Sequence, residues 1–289
     1  MLNVFMPRGN FCSSALVKTV NCSNHYMRNS YLFFAPLIVC MNATGQTEKT
    51  ATIEKNSVEK IICVSGSISN ESRAFIKYVA SLTGKVNPKV CYVPTAAADN
   101  ADDMVTWYSN CVDLPLRPFV LRTFLTADSS QQSFDENILS MDAIIVGGGS
   151  TLNMLGIWKA QGIDTVLRKA YDQGIVLAGG SAGSLCWFTG GYSDSRPKQL
   201  TIIYGLGFLN YSHCPHYHSE PARKPLYWQA VLDGKLKEGY ACDDSSALVF
   251  VNGLMKKSIT FAKENNNYFI SVVNGEIKEA ILPAEFIHE

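Results

Sequence analysis

Hydrophobic and polar positions follow two alternating periods from Lys60 onward. Short apolar runs, as at residues 61–64 and 90–93, alternate with longer stretches in which apolar residues recur every three or four positions. Buried strands and amphipathic helices have these two periods, and their alternation is typical of a parallel sheet covered on both faces. The chain therefore predicts an α/β fold with a doubly wound, mostly parallel sheet.

The same pattern gives the order of the elements. Strands are predicted at residues 61–64, 90–93, 119–121 and 143–146 and in the run 174–178. Helices are predicted over residues 70–82, 99–112, 152–173 (broken near Gly162) and 221–232. Beyond them, apolar runs at 248–251, 258–261 and 269–272 favour a terminal antiparallel meander.

The first 58 residues differ from the rest. Residues 31–41 are apolar but too short to span a membrane, which takes about 20 residues. They resemble the core of a signal peptide, yet they begin late and lack a small-x-small cleavage site. Residues 42–55 have the composition of a linker. We predict a poorly ordered extension over 1–58, one catalytic domain over 59–289, and a cytoplasmic protein rather than an exported one.

Charge and cysteine content narrow the class of partner. The 25 basic and 25 acidic residues cancel, and no dense basic run is present, so the electrostatic signature of a nucleic-acid binder is missing. The nine cysteines form no Cys-x-x-Cys pair and are typical of reduced thiols. We expect a small neutral or zwitterionic ligand, no membrane partner and no cofactor; the oligomeric state is left open.

The sequence Gly-Gly-Ser-Ala-Gly at 179–183 follows an apolar run and precedes a segment that can continue as a helix. A serine between small residues at a strand-to-helix turn is typical of a nucleophile elbow, in which the tight turn leaves no room for larger side chains. Ser181 is therefore a candidate nucleophile. The alternative is an ordinary glycine-rich turn.

A second glycine-rich loop, residues 147–149, follows the apolar strand 143–146. Glycines let backbone amides point into a cavity, as the stabilisation of an oxyanion requires. We predict that the N–H groups of Gly149 and Ala182 form the two donors. A phosphate-binding loop is the alternative, although neither the Gly-Lys-Ser/Thr ending nor the Gly-x-Gly-x-x-Gly spacing is present.

A serine nucleophile needs a base, and three of the five histidines lie within residues 213–218. We take His216 as the base; zinc binding by His216 and His218 and a solvated surface cluster are the alternatives. No further Cys/His pair completes a zinc site, so no metal is predicted. Asp194 or Asp244 would orient the imidazole, and for each the alternative is an aspartate that caps its own turn.

Three motifs in this order, Gly-Gly-Gly-Ser-Thr at 147–151, Gly-Gly-Ser-Ala-Gly at 179–183 and Cys-Pro-His-Tyr at 214–217, resemble the S51 peptidase family of dipeptidase E and cyanophycinase. The resemblance covers the chain from about residue 60. It implies a class I glutamine amidotransferase-like fold and serine peptidase chemistry with Ser181 as nucleophile and His216 as base. It also implies an acidic third member, for which Asp194 and Asp244 both match.

Two positions depart from dipeptidase E, which has a tryptophan before its serine and an asparagine where this chain has Cys214; here Gly180 precedes the serine. The resemblance implies hydrolysis of dipeptides or short peptides, including those with an N-terminal aspartate. Arg196 and Arg223 are the nearest basic candidates for a substrate carboxylate; the alternative for each is a structural salt bridge, for example between Arg223 and Glu220. The alternatives are a cyanophycinase-like hydrolase, an esterase, or a binding module without turnover.

Overall fold

The computed structural model describes residues 58–67, 73–125 and 132–288. Its strands are β1 (Ile61–Ser65), β2 (Lys89–Val93), β3 (Arg117–Val120), β4 (Ala143–Val146), β5 (Val176–Gly180), β6 (Gly191–Ser193), β7 (Thr201–Ile203), β8 (Ser212–Cys214), β9 (Gly239–Cys242), β10 (Ser246–Val251), β11 (Leu254–Thr260), β12 (Asn267–Val273), β13 (Glu276–Leu282) and β14 (Glu285–Phe286). Its α-helices are α1 (Arg73–Leu82), α2 (Ala101–Cys111), α3 (Phe134–Leu139), α4 (Thr151–Gln161), α5 (Ile163–Asp172), α6 (Ala182–Leu185) and α7 (Arg223–Leu232). Apart from residue 58, the predicted N-terminal extension lies outside the described residues.

The main sheet has eight strands in the order β14-β11-β10-β1-β5-β4-β2-β3. Strands β1, β5, β4, β2 and β3 pair in parallel, whereas β10 runs antiparallel to β1 and β11 antiparallel to β10. The predicted fold class, a mixed α/β protein with a large and mostly parallel sheet, is confirmed.

Helices pack on both faces of this sheet. Successive residues of β4 enter opposite cores: Ile144 packs with Trp158 of α4, and Ile145 packs with Phe75 of α1 and Trp107 of α2. Since helices cover both faces of the sheet, every residue of the strand is buried. This explains the unbroken apolar run in the sequence, because a strand exposed on one face would alternate.

The predicted terminal meander is only partly correct. Strands β10 and β11 form an antiparallel pair in the main sheet, but β12 belongs to a four-stranded sheet of order β13-β12-β9-β8. The buried amide of Asn267, at the start of β12, donates to the Ala247 and Ile259 carbonyls and accepts from the Ser246 hydroxyl. This amide holds the two sheets together, and apolar alternation alone carries no information about such a change of partner.

The topology brings several loops to one place. Strands β1, β4 and β5 are parallel, so the loops that follow them leave the sheet at the same edge. Strand β8 pairs in parallel with β9, and a further bridge joins Ser67 to Asp244. The segments after β1, β4, β5, β8 and β9 therefore converge, and they contain most of the residues singled out in the sequence.

No helix among the described residues is both long enough and apolar enough to cross a membrane.

Candidate active site

Ser181 lies at the turn between β5 and α6, with backbone angles φ 53° and ψ −117°. This conformation is strained for a residue with a side chain and is found where the surrounding structure enforces it. The Ser181 N–H donates to the Gly66 carbonyl at 3.2 Å, which fixes the turn against the loop after β1. The strand, turn and helix around Ser181 match the elbow that the sequence predicts.

The glycines around the serine are required by space. A Cβ atom added to Gly183 would lie 2.1 Å from the Val146 carbonyl oxygen, and one added to Gly179 would lie 2.3 Å from the Gly183 oxygen. Side chains at these positions would overlap backbone atoms that have no room to move. The elbow therefore packs directly on the end of β4.

His216 connects the serine to a carboxylate. Its Nε2 lies 2.8 Å from Ser181 Oγ, and its Nδ1 lies 2.9 Å from Asp244 Oδ1. If Nδ1–H donates to the carboxylate, the lone pair of Nε2 is left to accept the serine hydroxyl proton. The structure thus joins Ser181, His216 and Asp244 in one chain of hydrogen bonds.

The two candidate aspartates occupy different places. Asp244 follows β9, the parallel neighbour of the strand that precedes His216, so both loops emerge together. Asp194 follows β6 instead; its side chain is 69% exposed and its Oδ1 lies 3.7 Å from Nη2 of Arg223. Of the two aspartates left open by the sequence, Asp244 is the one that contacts the imidazole.

Arg223 is occupied by contacts within the protein. Its side chain is 3% exposed, its Nε and Nη2 donate to the two carboxylate oxygens of Glu220 at 2.7 and 3.2 Å, and its Nη1 donates to the Tyr192 carbonyl. Such a fork fixes the guanidinium in place. Arg196 is exposed and donates to the Thr201 hydroxyl at 2.8 Å. Neither arginine contacts Ser181, His216 or Asp244.

The loop after β4 lies against the serine. A Cβ atom added to Gly148 would lie 3.6 Å from Ser181 Cβ and 4.0 Å from its Oγ. Gly149 has φ 127°, and a Cβ there would lie 2.4 Å from the Ala96 oxygen, so only glycine fits. Among the described residues, the N–H groups of Gly149 and Ala182 have no protein acceptor. Within the part of the chain that the structure describes, both groups are thus available to a bound ligand.

A second histidine–aspartate pair, which the sequence reasoning did not find, joins the same two loops. His218 Nδ1 lies 2.7 Å from Asp243 Oδ1, while Asp243 Oδ2 accepts from the Asn266 N–H and the Tyr268 hydroxyl. The spacing held a clue, because His218 is two residues after His216 and Asp243 directly precedes Asp244. The second pair holds the two loops in register beside the first.

Among the residues that the structure describes, the other polar groups near the site form neither a metal centre nor a second nucleophile. Within the described ranges, no cluster of three His, Cys, Asp or Glu side chains is placed to hold a metal ion. Cys214 is fully buried, and burial raises the pKa of its thiol to about 12. A thiol that remains protonated at neutral pH is a poor nucleophile, which leaves the Ser181 hydroxyl as the reactive group nearest the imidazole.

Solved structures share this architecture. A candidate peptidase E protein from Listeria monocytogenes EGD-e superposes with a TM-score of 0.53 and 18% identity, covering 71% of this chain and 100% of that one. A peptidase from an acI-B1 Actinobacterium gives a TM-score of 0.58 and 18% identity, covering 79% and 96% respectively. At this identity the comparison defines the fold class alone, a peptidase E-like α/β fold.

The sequence identifies the family. The model of peptidase family S51 matches residues 61–258. The chain is also 35% identical over 233 residues to the Bacillus subtilis (strain 168) protein named uncharacterized peptidase YgaJ, which covers 80% of this chain and 100% of the relative. The chain belongs to peptidase family S51, as the three sequence motifs indicated, and its class of activity is that of a peptidase.

Proposed function

We propose that this protein is a serine peptidase in which Ser181 is the nucleophile, His216 the general base and acid, and Asp244 the residue that orients the imidazole. The observation that carries the proposal is the chain of hydrogen bonds from Ser181 Oγ through His216 to Asp244, at 2.8 and 2.9 Å. In such a chain the carboxylate holds the imidazole so that Nε2 faces the hydroxyl proton.

The reaction proceeds in two halves. His216 Nε2 takes the hydroxyl proton as Ser181 Oγ attacks the scissile carbonyl carbon, and the N–H groups of Gly149 and Ala182 stabilise the oxyanion. The imidazolium then gives this proton to the leaving amine as the C–N bond breaks. In the second half, His216 deprotonates water, which attacks the acyl ester and releases the acid and the free serine.

The proposed substrates are dipeptides or other short peptides. A peptide with an N-terminal aspartate is the first to test, because the three motifs at 147–151, 179–183 and 214–217 resemble those of dipeptidase E. The reaction as proposed needs no cofactor, and the proposed location is the cytoplasm.

A fluorophosphonate probe tests the chemistry without knowledge of the substrate. We expect stoichiometric labelling of Ser181 in the wild-type protein and none in Ser181→Ala. Hydrolysis of a panel of Asp-Xaa and Ala-Xaa dipeptides, beside esters and a β-aspartyl polymer, then identifies the acyl group. Failure of the folded wild-type protein to label or to hydrolyse any member of the panel would disprove the proposal.

A further inference from the structure

A cleft of about 500 Å³ opens between α4 and the segment formed by β7 and the residues directly after it. One wall is formed by Leu152, Leu155 and Gly156 of α4, and the other by residues that include Ile202 and Leu206. Its lining is mainly apolar, although it is open to solvent. Apolar surface of this kind, with charged groups at the rim, is typical of a binding site.

Helix α4 carries apolar side chains on both of its faces. Met154 and Trp158 are fully buried in the core, whereas Leu152 and Leu155 are partly exposed and line the cleft. A helix that covers a core needs only one apolar stripe, and its solvent face is normally polar. Leu155 packs in part against the main core, and both leucines keep a solvent-facing portion that lines the cleft.

Gly156 gives an independent indication that this cleft is used. Glycine destabilises the interior of a helix relative to alanine, so its presence calls for a packing reason. Here a Cβ atom would meet nothing within 4 Å, so no neighbouring protein atom requires glycine. Because Gly156 has no side chain, the cleft is wider at this position and has space for a ligand.

The rim of the cleft provides a cation. Arg196 lines it and donates to the Thr201 hydroxyl, but no carboxylate in the described part of the chain lies within ion-pair distance of its guanidinium. Lys159, also at the rim, is already paired with Asp164 at 3.2 Å. The guanidinium therefore remains available for a carboxylate, which it can bind in a bidentate fork.

Both walls are attached to the proposed catalytic centre. Leu152 is only three residues beyond Gly149, a reach of at most about 11 Å, and its N–H donates to Ser195 Oγ at 3.2 Å. On the other wall, the Leu206 N–H donates at 2.7 Å to the carbonyl of Cys186, which ends α6. Both walls of the cleft are thus joined to segments of the proposed catalytic centre, one to the loop that contains Gly149 and the other to the helix that follows Ser181.

We infer that the cleft binds the C-terminal residue of the peptide substrate, with an apolar side chain between α4 and the β7 segment and the terminal carboxylate on Arg196. This inference rests on the proposed function and adds to it the class of substrate: short peptides that end in an apolar residue with a free carboxylate. Charge complementarity with Arg196 selects this ligand over a neutral apolar molecule.

The test compares kcat/KM for dipeptides Xaa-Leu, Xaa-Gly and Xaa-Leu-amide, with an N-terminal residue Xaa that the enzyme accepts. We expect the wild-type enzyme to prefer leucine over glycine, and acid over amide, each by roughly ten-fold. Arg196→Gln should bring the acid-to-amide ratio close to one. Gly156→Leu, which adds a large side chain to the wall of the cleft, should lower the leucine-to-glycine ratio about ten-fold.

Arg117→Gln is the matched control, because Arg117 begins a parallel strand and so lies at the opposite end of the sheet from Ser181. It should leave both ratios at the wild-type values. Wild-type ratios near one, or ratios that do not change in Arg196→Gln and Gly156→Leu, would overturn the inference.

A readout without turnover separates this inference from the proposed function. N-acetyl-leucine should protect Ser181 from the fluorophosphonate at lower concentration than N-acetyl-leucinamide does, and Arg196→Gln should remove the difference. Equal protection by the two compounds in a protein that labels contradicts the cleft assignment and leaves the serine mechanism standing. A protein that folds and does not label contradicts the mechanism itself. Gly156→Ala, which adds only a methyl group in open space, checks that changes at this position do not act through misfolding.

Discussion

Two serine–histidine pairs lie close together in this protein, and each has the same type of hydrogen bond. Ser181 Oγ lies 2.8 Å from His216 Nε2, and Ser184 Oγ lies 3.0 Å from His213 Nε2. The serines are three residues apart along the chain, and so are the histidines. The contact between hydroxyl and imidazole is therefore the same in both, and their differences lie in what surrounds them.

The second contact of each imidazole differs in charge. His216 Nδ1 faces the Asp244 carboxylate, whereas His213 Nδ1 faces the backbone carbonyl of Tyr240 at 3.1 Å. A carboxylate stabilises the imidazolium that forms when a serine proton is taken, and a neutral carbonyl does so much less.

The two pairs also differ in exposure. The His216 side chain is 17% exposed, whereas His213 is fully buried and stacks on the Phe188 ring with centroids 4.5 Å apart. Burial lowers the pKa of His213 to about 3, so it remains neutral at physiological pH. A serine–histidine hydrogen bond is thus insufficient to indicate catalysis; a carboxylate and access for substrate are needed as well.

The largest expected difference between the pairs is in turnover. Ser181→Ala should lower kcat roughly 10⁴- to 10⁶-fold, because the proposed nucleophile is removed and the remaining members cannot replace it. Ser184→Ala should keep kcat within about ten-fold of the wild-type value, since the Ser184 hydroxyl takes part in no step of the proposed reaction. Steady-state kinetics on one dipeptide substrate measures both. Comparable losses in the two variants would show that the pairs are not functionally distinct.

The aspartates give the next largest effect. Asp244→Asn should lower kcat about 10²- to 10⁴-fold. The substitution removes the carboxylate charge, and the amide group that replaces it favours the wrong imidazole tautomer. Asp194→Asn is the matched control: its side chain is 69% exposed and pairs with Arg223 rather than with the imidazole, so kcat should change only about two-fold. A large loss in Asp194→Asn with a small one in Asp244→Asn would reverse the proposed roles.

What the sequence predicts correctly in this region is local. The elbow at Ser181 depends on a strand, a helix and small residues that are contiguous in the chain. The steric need for Gly179 arises mainly within that segment, against the Gly183 oxygen, whereas Gly183 is required by the Val146 carbonyl of β4. The apolar strands of the main sheet are predictable for the same reason, since burial on both faces gives each strand an unbroken apolar run in the sequence.

What the sequence could not predict depends on contacts between distant segments. The choice between Asp194 and Asp244 rests on the parallel pairing of β8 with β9, two strands of three and four residues that have no clear signal of their own. The burial of His213 is likewise not predictable from a run of histidines, because it depends on Phe188, which stacks on the ring, and on the Tyr240 carbonyl, which faces Nδ1.

The pH dependence of the unfolding free energy should reveal the buried, neutral state of His213. With a folded pKa of about 3 against an ordinary 6.5, the folded state favours neutral imidazole, so this contribution is complete above pH 6.5 and is lost as the pH falls toward 3. The loss is about 1.4 kcal/mol for each pH unit in that window. Urea unfolding at several pH values should show the stability advantage of the wild-type protein over His213→Gln shrinking accordingly.

His213→Phe serves as the check on this measurement. Both substitutions remove the titrating group, but they change the packing against Phe188 differently, so a shared pH dependence isolates the titration from the cost of repacking. If the unfolding free energies of wild type and both variants changed in parallel from pH 7 downward, the assignment of a neutral, buried His213 would be contradicted.

The smallest expected effect concerns the structural role of the buried pair. The Ser184 hydroxyl lies 2.7 Å from the Ser181 carbonyl oxygen and 3.0 Å from His213 Nε2, so Ser184→Ala leaves a buried nitrogen with one partner fewer. The Ser181 carbonyl keeps the N–H groups of Ser184 and Leu185, and the elbow should therefore hold its shape. We expect a loss of about 1–3 kcal/mol in unfolding free energy, measured with urea. Ser140→Ala, which removes an exposed hydroxyl bonded to the Asn137 carbonyl, should cost less than about 0.5 kcal/mol. If the two losses were equal, the buried hydroxyl would contribute no more than a surface one, and the Ser184–His213 bond would have no structural role.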